Sequence, residues 1–337
     1  MSAPGGQRTG VLVMAHGTPA TAAGIEPFYT TIRRGSPPTP ELLAELVGRY
    51  EAIGGTSPLT ERTRSQVEGL ASALEAAAPG GYVVRFGAKY VTPTIEEGLA
   101  ELADAGVDRV IGIVLTPHQS SLGSGEYFRR AREAAAATPA LGFTAIPSWH
   151  RTEGFAPVLA DRTAAVLASL DRDRKRRTAV FFTAHSLPER VVADGDPYPD
   201  QVAESAGDVA ALLGLGEVPG LSWGVAWQSA GRTAEPWIGP DLLVEIGRVA
   251  AEGATSVVVC PVGFVSDHLE VLYDLDIEAA AVAHSLGVAF ARTPSLNDDP
   301  VFLGLLADVV RTASHTAPGA PPSPSAVPSP AQPAAPA

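Results

Sequence analysis

Short continuous apolar runs alternate along the chain with segments whose apolar residues recur every three or four positions. Residues 10–15 (GVLVMA) form one such run. A run of this length predicts a strand covered on both faces, as in a parallel sheet. Ser57-Pro58 predicts a helix start, with serine as the cap and proline at the first helical position. Val67, Leu70, Ala71 and Leu74 supply that helix with an apolar stripe. Residues 83–88 predict a second strand. Thr94-Ile95-Glu96-Glu97 reads as a capping box, followed by Leu99 and Leu102, with Gly106 as the stop. Residues 110–115 predict a third strand. Strands and helices in strict alternation predict an α/β protein with a mainly parallel sheet.

The pattern then restarts. Residues 177–184 (RTAVFFTA) and 256–262 (SVVVCPV) are further buried strands. Two strand ends resemble each other: VMAHGTP at residues 13–19 and FTAHSLP at 182–188. Each runs from strand to Ala-His, then a small residue, one more residue and proline. The chain thus reads as two similar halves, each placing a histidine at the carboxyl end of its first strand. Ligands of open α/β sheets bind outside those ends. The expected divisions are residues 8–150, residues 151–314, and a tail over 315–337. The helix-like stretch 155–170 joins the halves. The tail has eight prolines among residues 316–337 and no charge, so it predicts disorder.

Composition narrows the classes. The 337 residues carry 24 basic and 37 acidic side chains, a formal charge of −13. That balance speaks against a nucleic-acid binder and against docking on anionic lipid by net charge. No apolar run approaches the ~18 residues of a membrane-spanning helix. The start, MSAPGGQRTG, is too short and polar for a signal peptide. A cytoplasmic protein is therefore expected. Cys260 is the one cysteine, so this chain alone offers neither a disulfide nor the thiolates of an iron–sulfur cluster.

Three features could carry chemistry. The first is SDHLEVLYDLDIE at residues 266–278. On an α-helix, Glu270, Asp274 and Glu278 would form a track of roughly 12 Å along one face. Like charges at that spacing disfavour a helix by about 0.2–0.5 kcal/mol per pair. Three aligned carboxylates suit a divalent cation. Alternatively, Asp267 and Glu270 make a capping box, with acids favouring the helix dipole. The second feature is His185, either a metal ligand and proton acceptor or a hydrogen-bonded structural residue. His16 and His118 carry the same two readings. The third is the region of Tyr29, Arg33, Arg34, Arg49 and Tyr50, either a solvated basic face or a site for a flat ligand with peripheral carboxylates. Gly-rich phosphate loops and a serine hydrolase elbow are absent.

Long stretches of the chain resemble the ferrochelatase family, and more closely its coproporphyrin-using branch. They are TAHSLPE at 183–189, GDPYPDQ at 195–201, WQSAGRTAEPWIGPD at 227–241, PVGFVSDHLEVLYDLDIE at 261–278, and IRRG with RYEAIGGTSPL at 32–35 and 49–59. The resemblance runs from Val11 to about Val310. It implies two similar Rossmann-like domains of class II chelatase type, with parallel sheets flanked by helices and a ligand cleft between them. By matching motif, it implies that His185 and Glu270 handle iron and the pyrrole protons. Asp274 and Glu278 fall on an acidic path toward them, and all four are candidate metal ligands. Arg33, Arg49, Tyr50, Ser57 and Tyr127 fall at positions that contact the porphyrin and its propionates.

The chain departs from relatives at His16, where tyrosine is usual. That tyrosine can ligate the product iron from the face opposite the catalytic histidine. His16 is counted here as porphyrin-binding, and could ligate likewise or only hydrogen-bond locally. Tyr90 stands where relatives can have histidine. The implied reaction is insertion of Fe²⁺ into coproporphyrin III, with iron a substrate and no resident prosthetic group. The alternatives are insertion into protoporphyrin IX, a cobalt or nickel chelatase for another tetrapyrrole, and a haem or porphyrin carrier without turnover. A monomer is expected, with a product-accepting enzyme of the haem pathway as a further partner.

Overall fold

A computed structural model describes residues 8–171 and 177–315. The proline-rich segment from Thr316 onward lies outside the described residues.

The first half contains strands β1 (Thr9–Ala15), β2 (Tyr82–Ala88), β3 (Arg109–Val114) and β4 (Gly142–Ile146). All pair in parallel, in the order β2-β1-β3-β4. The second half repeats this order as β6-β5-β7-β8, with β5 (Thr178–His185), β6 (Leu221–Gln228), β7 (Ser256–Cys260) and β8 (Ala289–Arg292). Parallel neighbours need crossover connections, and helices supply them. The first strand of each half is central and covered on both faces. Accordingly, the side chains of Val11 to Met14 and of Val180 and Phe182 are fully buried. The architecture is that of two Rossmann-like domains, as expected.

Local signals are realised with small shifts. Thr94 and Glu97 form the reciprocal capping box that opens helix Ile95–Asp104. Gly106 follows that helix with φ +77°, which only glycine adopts at no steric cost. The helix predicted at Ser57-Pro58 begins at Leu59 and runs to Ala77. Pro58 therefore precedes it, and Ser57 Oγ accepts the Leu59 N–H at 3.3 Å.

The last helix, Pro300–His315, leaves the second sheet and packs on the first half. Its Leu303 fills the space beside Gly69, where a Cβ would meet the leucine at 2.2 Å. Arg109 of β3 donates to the carbonyls of Ala313 and Ser314 at this helix's end. Leu70, Leu74, Ile111 and Ile113 of the first half share one apolar core with Val180, Phe182, Phe302 and Leu306. The halves are thus joined by buried side chains as well as by the chain connection. Between them, outside the carboxyl ends of both sheets, lies a cleft.

Candidate active site

The cleft has a volume of about 610 Å³, within the usual range for small-molecule sites. It is bounded by His16, Lys89 and Tyr127 on one side and by His185, His268 and Glu270 on the other.

His185 ends β5, where its backbone pairs with Gln228 of β6 while the pairing with β7 stops at Phe182. Its Nδ1–H donates to the Ser186 carbonyl. A carbonyl only accepts, so the tautomer is set and Nε2 faces the cleft. Nε2 lies 3.6 Å from Glu270 Oε1. The other Glu270 oxygen lies 3.6 Å from His268 Nε2. His268 Nδ1–H in turn donates to the Ser266 carbonyl at 2.9 Å. One carboxylate therefore sits between two histidine rings, each with its Nε2 turned inward. Both separations exceed a hydrogen bond.

The electrostatics follow from this placement. Burial pulls the His185 pKa down, but the Glu270 charge outweighs it and pushes the imidazole up to about 9. Burial opposes ionisation of Glu270 as well, yet the two histidines hold it well below the usual carboxylate range. The resting pair is an imidazolium and a carboxylate. Tyr198 donates its hydroxyl hydrogen to the His185 carbonyl and braces the strand end from below.

The predicted α-helical acid track is not what forms. One α-turn, Leu269–Leu272, is followed by a π-helical turn, Asp274–Ala279, in which Glu278 N bonds to Tyr273 O. The wider turn breaks the i, i+4, i+8 alignment, and such turns often sit at functional sites. Asp274 points inward, is 5% exposed and pairs with Arg49 of the first half and with the Ser229 hydroxyl. Burial raises its carboxyl pKa to about 6 despite Arg49. Glu278 is exposed. The alternative capping box fails too: Asp267 accepts from Ser295, Asn297 and Arg292 instead. Among the described residues, no three His, Cys, Asp or Glu side chains are gathered around one ion position.

His16 follows β1 as His185 ends β5. Its Nδ1–H donates to the Gly17 carbonyl at 3.0 Å, and Gly17 takes φ +83° to allow it. The ring is exposed on the cleft side, and desolvation by its surroundings lowers its pKa. Tyr90 and Phe28 contact it edge-on, with ring centroids at 4.7 and 5.8 Å.

Of the expected porphyrin contacts, Arg49, Tyr50, Ser57 and Tyr127 line the cleft. Tyr50 is buried, with its hydroxyl 3.1 Å from Thr18 Oγ1. Arg33 does not line it; the guanidinium is exposed, 5.6 Å above the Tyr29 ring. Tyr29 itself does line the cleft. Asp274 and Glu278 lie behind the lining rather than in it. Sequence reasoning gave no role to His268, Lys89 or Arg232. Lys89 lies against the rings of Tyr90 and Tyr127, at 5.2 and 5.1 Å, and has no carboxylate partner among the described residues. Desolvation lowers its pKa. A signal existed for His268, two residues before Glu270 in the same motif.

Two sheets of one topology, with a histidine–carboxylate pair in the cleft between them, are the architecture and site found here. The fold agrees with the sirohydrochlorin chelatase SirB from Bacillus subtilis subspecies spizizenii in complex with cobalt, at TM-score 0.54 and 10% identity, covering 91% of this chain and 95% of that one. The chain belongs to the ferrochelatase family, whose model matches residues 8–314. It is 42% identical over 304 residues to a ferrochelatase of Herpetosiphon aurantiacus, covering 90% of this chain and 98% of the relative. It is 41% identical over 303 residues to the coproporphyrin III ferrochelatase of Anoxybacillus flavithermus, covering 89% and 95%.

Proposed function

We propose that this chain inserts Fe²⁺ into coproporphyrin III. The observation that carries the reading is Glu270 held between the Nε2 atoms of His185 and His268, in a cleft wide enough for a small-molecule ligand. Metallation removes two pyrrole N–H protons while the ion exchanges water for nitrogen. At rest His185 holds a proton through Glu270. An arriving cation competes for that carboxylate and lowers the imidazole pKa, so the proton is released to solvent. The freed Nε2 then accepts a pyrrole proton, and His268 Nε2 is the second base in reach of the same carboxylate. Iron leaves in the product, so the site needs no closed cage of ligands. Asp274 is balanced by Arg49, so of the two further acids Glu278 is the one that adds negative charge and draws the ion inward.

The four-carboxylate substrate is favoured by the cations Arg49 and Lys89 on the cleft wall and by the names of the relatives at about 40% identity. Insertion into protoporphyrin IX is the second reading. A carrier without turnover has no use for a carboxylate between two imidazole bases. Iron is a substrate here, and no resident prosthetic group is proposed. We place the protein in the cytoplasm as a monomer that hands its product to a haem-pathway enzyme and binds no nucleic acid. No described helix is long and apolar enough to cross a membrane.

The test is anaerobic metallation of coproporphyrin III and of protoporphyrin IX, followed by loss of porphyrin fluorescence and the Soret shift. Turnover with coproporphyrin III and little with protoporphyrin IX is expected. Preference for protoporphyrin IX would reassign the substrate, and tight binding without metallation would establish the carrier.

A further inference from the structure

Helix Pro40–Ala52 of the first half reaches the second half through two ion pairs of opposite polarity. Glu45 pairs with Arg232, and one turn later Arg49 pairs with Asp274. Glu45, Arg49 and Arg232 all line the cleft, and with Lys89 the two arginines are the only lysine or arginine side chains that line it among the described residues.

The two arginines are not equally free. Asp274 is 5% exposed, so withdrawing Arg49 would leave a buried carboxylate without a countercharge. The Arg232 side chain is 69% exposed and Glu45 33%. Pairs this open to solvent contribute little to stability, so exchange of partner is cheap.

The base of Arg232 is nonetheless held. Trp237 packs on the neighbouring Gly231, where a Cβ would meet the ring at 2.3 Å. Its indole N–H donates to Thr233 Oγ1 at 2.8 Å. Glu189 N and Ile238 N bond the loop to the segment after β5. Arg190 pairs with Glu235. The loop is anchored on both sides of Arg232 while the guanidinium projects over the cleft.

We propose that Arg232 is a specificity-determining residue that takes a peripheral carboxylate of the tetrapyrrole, with Glu45 holding that place until substrate arrives. The assignment rests on the tetrapyrrole reading above. Guanidinium can match a carboxylate through two parallel N–H donors, and Nη2 of Arg232 already meets one oxygen of Glu45 at 2.5 Å. A macrocycle with carboxylates all round its edge can satisfy the inner cations and Arg232 together. A macrocycle with two carboxylates on one edge satisfies one group or the other.

The test measures Kd of metal-free coproporphyrin III and protoporphyrin IX by fluorescence, on the full chain and on R232Q and E45Q. R232Q is expected to raise the coproporphyrin III Kd about tenfold and to leave the protoporphyrin IX Kd within twofold. E45Q is expected to lower the coproporphyrin III Kd several-fold, because the competing carboxylate is gone. An unchanged Kd in R232Q, or equal weakening of both porphyrins, overturns the assignment. E45Q weakening binding in parallel with R232Q also overturns it, since the pair would then be a structural clasp. Wild-type protein that binds neither porphyrin overturns the tetrapyrrole reading itself, a result distinct from wild-type binding that R232Q leaves untouched.

Discussion

His16 and His185 occupy matching places in the two halves, and each donates its Nδ1–H to the carbonyl of the residue that follows it. Both therefore present Nε2 to one cleft from opposite domains. Their electrostatic settings differ. His185 has Glu270 beside it and is pushed up to about 9. His16 has no carboxylate at ion-pair distance among the described residues, and desolvation lowers its pKa. At pH 7 His16 is neutral and its lone pair is free, while His185 carries a proton. The repeated backbone has been given two chemistries by one acidic neighbour.

In the proposed reaction a neutral imidazole on the cleft wall would be able to ligate the product iron. H16F is expected to shift the Soret and visible bands of the product complex and to weaken product binding several-fold. Metallation itself should fall less than tenfold, because the proposed bases are on the other side. Identical spectra for wild type and H16F would argue against ligation.

H185A removes the proposed base and metal ligand but none of the lysine and arginine side chains on the wall. Turnover should drop by at least two orders of magnitude, the low end of what a positioned base contributes. Porphyrin affinity should stay within about threefold, read by fluorescence quenching. Near-normal turnover would remove His185 from the mechanism.

These features were unequally legible in the sequence. The central strands, the Thr94–Glu97 capping box and the two histidine-bearing strand ends are local patterns, and they stand where the pattern put them. The π-turn at Asp274 was not legible, and neither were the partners of its carboxylate, Arg49 and Ser229, which arrive from distant segments. Without them, the i, i+4 spacing reads as an ordinary helix face. Asp267 was misread for the same reason: its partners Arg292, Ser295 and Asn297 are 25–30 residues away. Lys89 and Arg232 carry no motif of their own. Their meaning comes from what surrounds them, aromatic faces for one and Glu45 of the other half for the other.

Asp274 should trade stability for function. Its carboxyl pKa lies at about 6 against an ordinary 3.8. A raised folded-state pKa means that folding favours the protonated acid. That advantage is full below pH 3.8 and is lost as pH rises through 6. D274N mimics the neutral acid at every pH. Arg49, 24% exposed, can rehydrate when its partner is neutral. The stability gained by D274N over wild type should therefore grow from pH 4 to pH 7, reaching about 1–3 kcal/mol. Metal-dependent kcat/KM should fall in the same variant. A stability difference that does not change with pH would show that Asp274 is ionised on folding at no cost.

The His185–Glu270 pair gives the sharpest pH dependence. His185 is raised and Glu270 lowered, so both signs matter. The histidine's contribution to stability is full below pH 6.5 and is lost as pH rises through about 9. The glutamate's contribution is full above its unfolded value of 4.5 and is lost as pH falls toward its depressed one. The pair therefore supports the fold most between about pH 5 and pH 8. In E270Q burial is the largest remaining influence and lowers the imidazole pKa, opposed by the Ser186 carbonyl and the Asp274 charge. Imidazole ¹H–¹⁵N NMR should show His185 titrating near 9 in wild type and below 6.5 in E270Q. Thermal melts should show wild type losing its margin over E270Q between pH 7.5 and 9.5. A wild-type midpoint near 6.5 would mean that Glu270 does not hold the proton, and the release of that proton to an incoming cation would lose its basis.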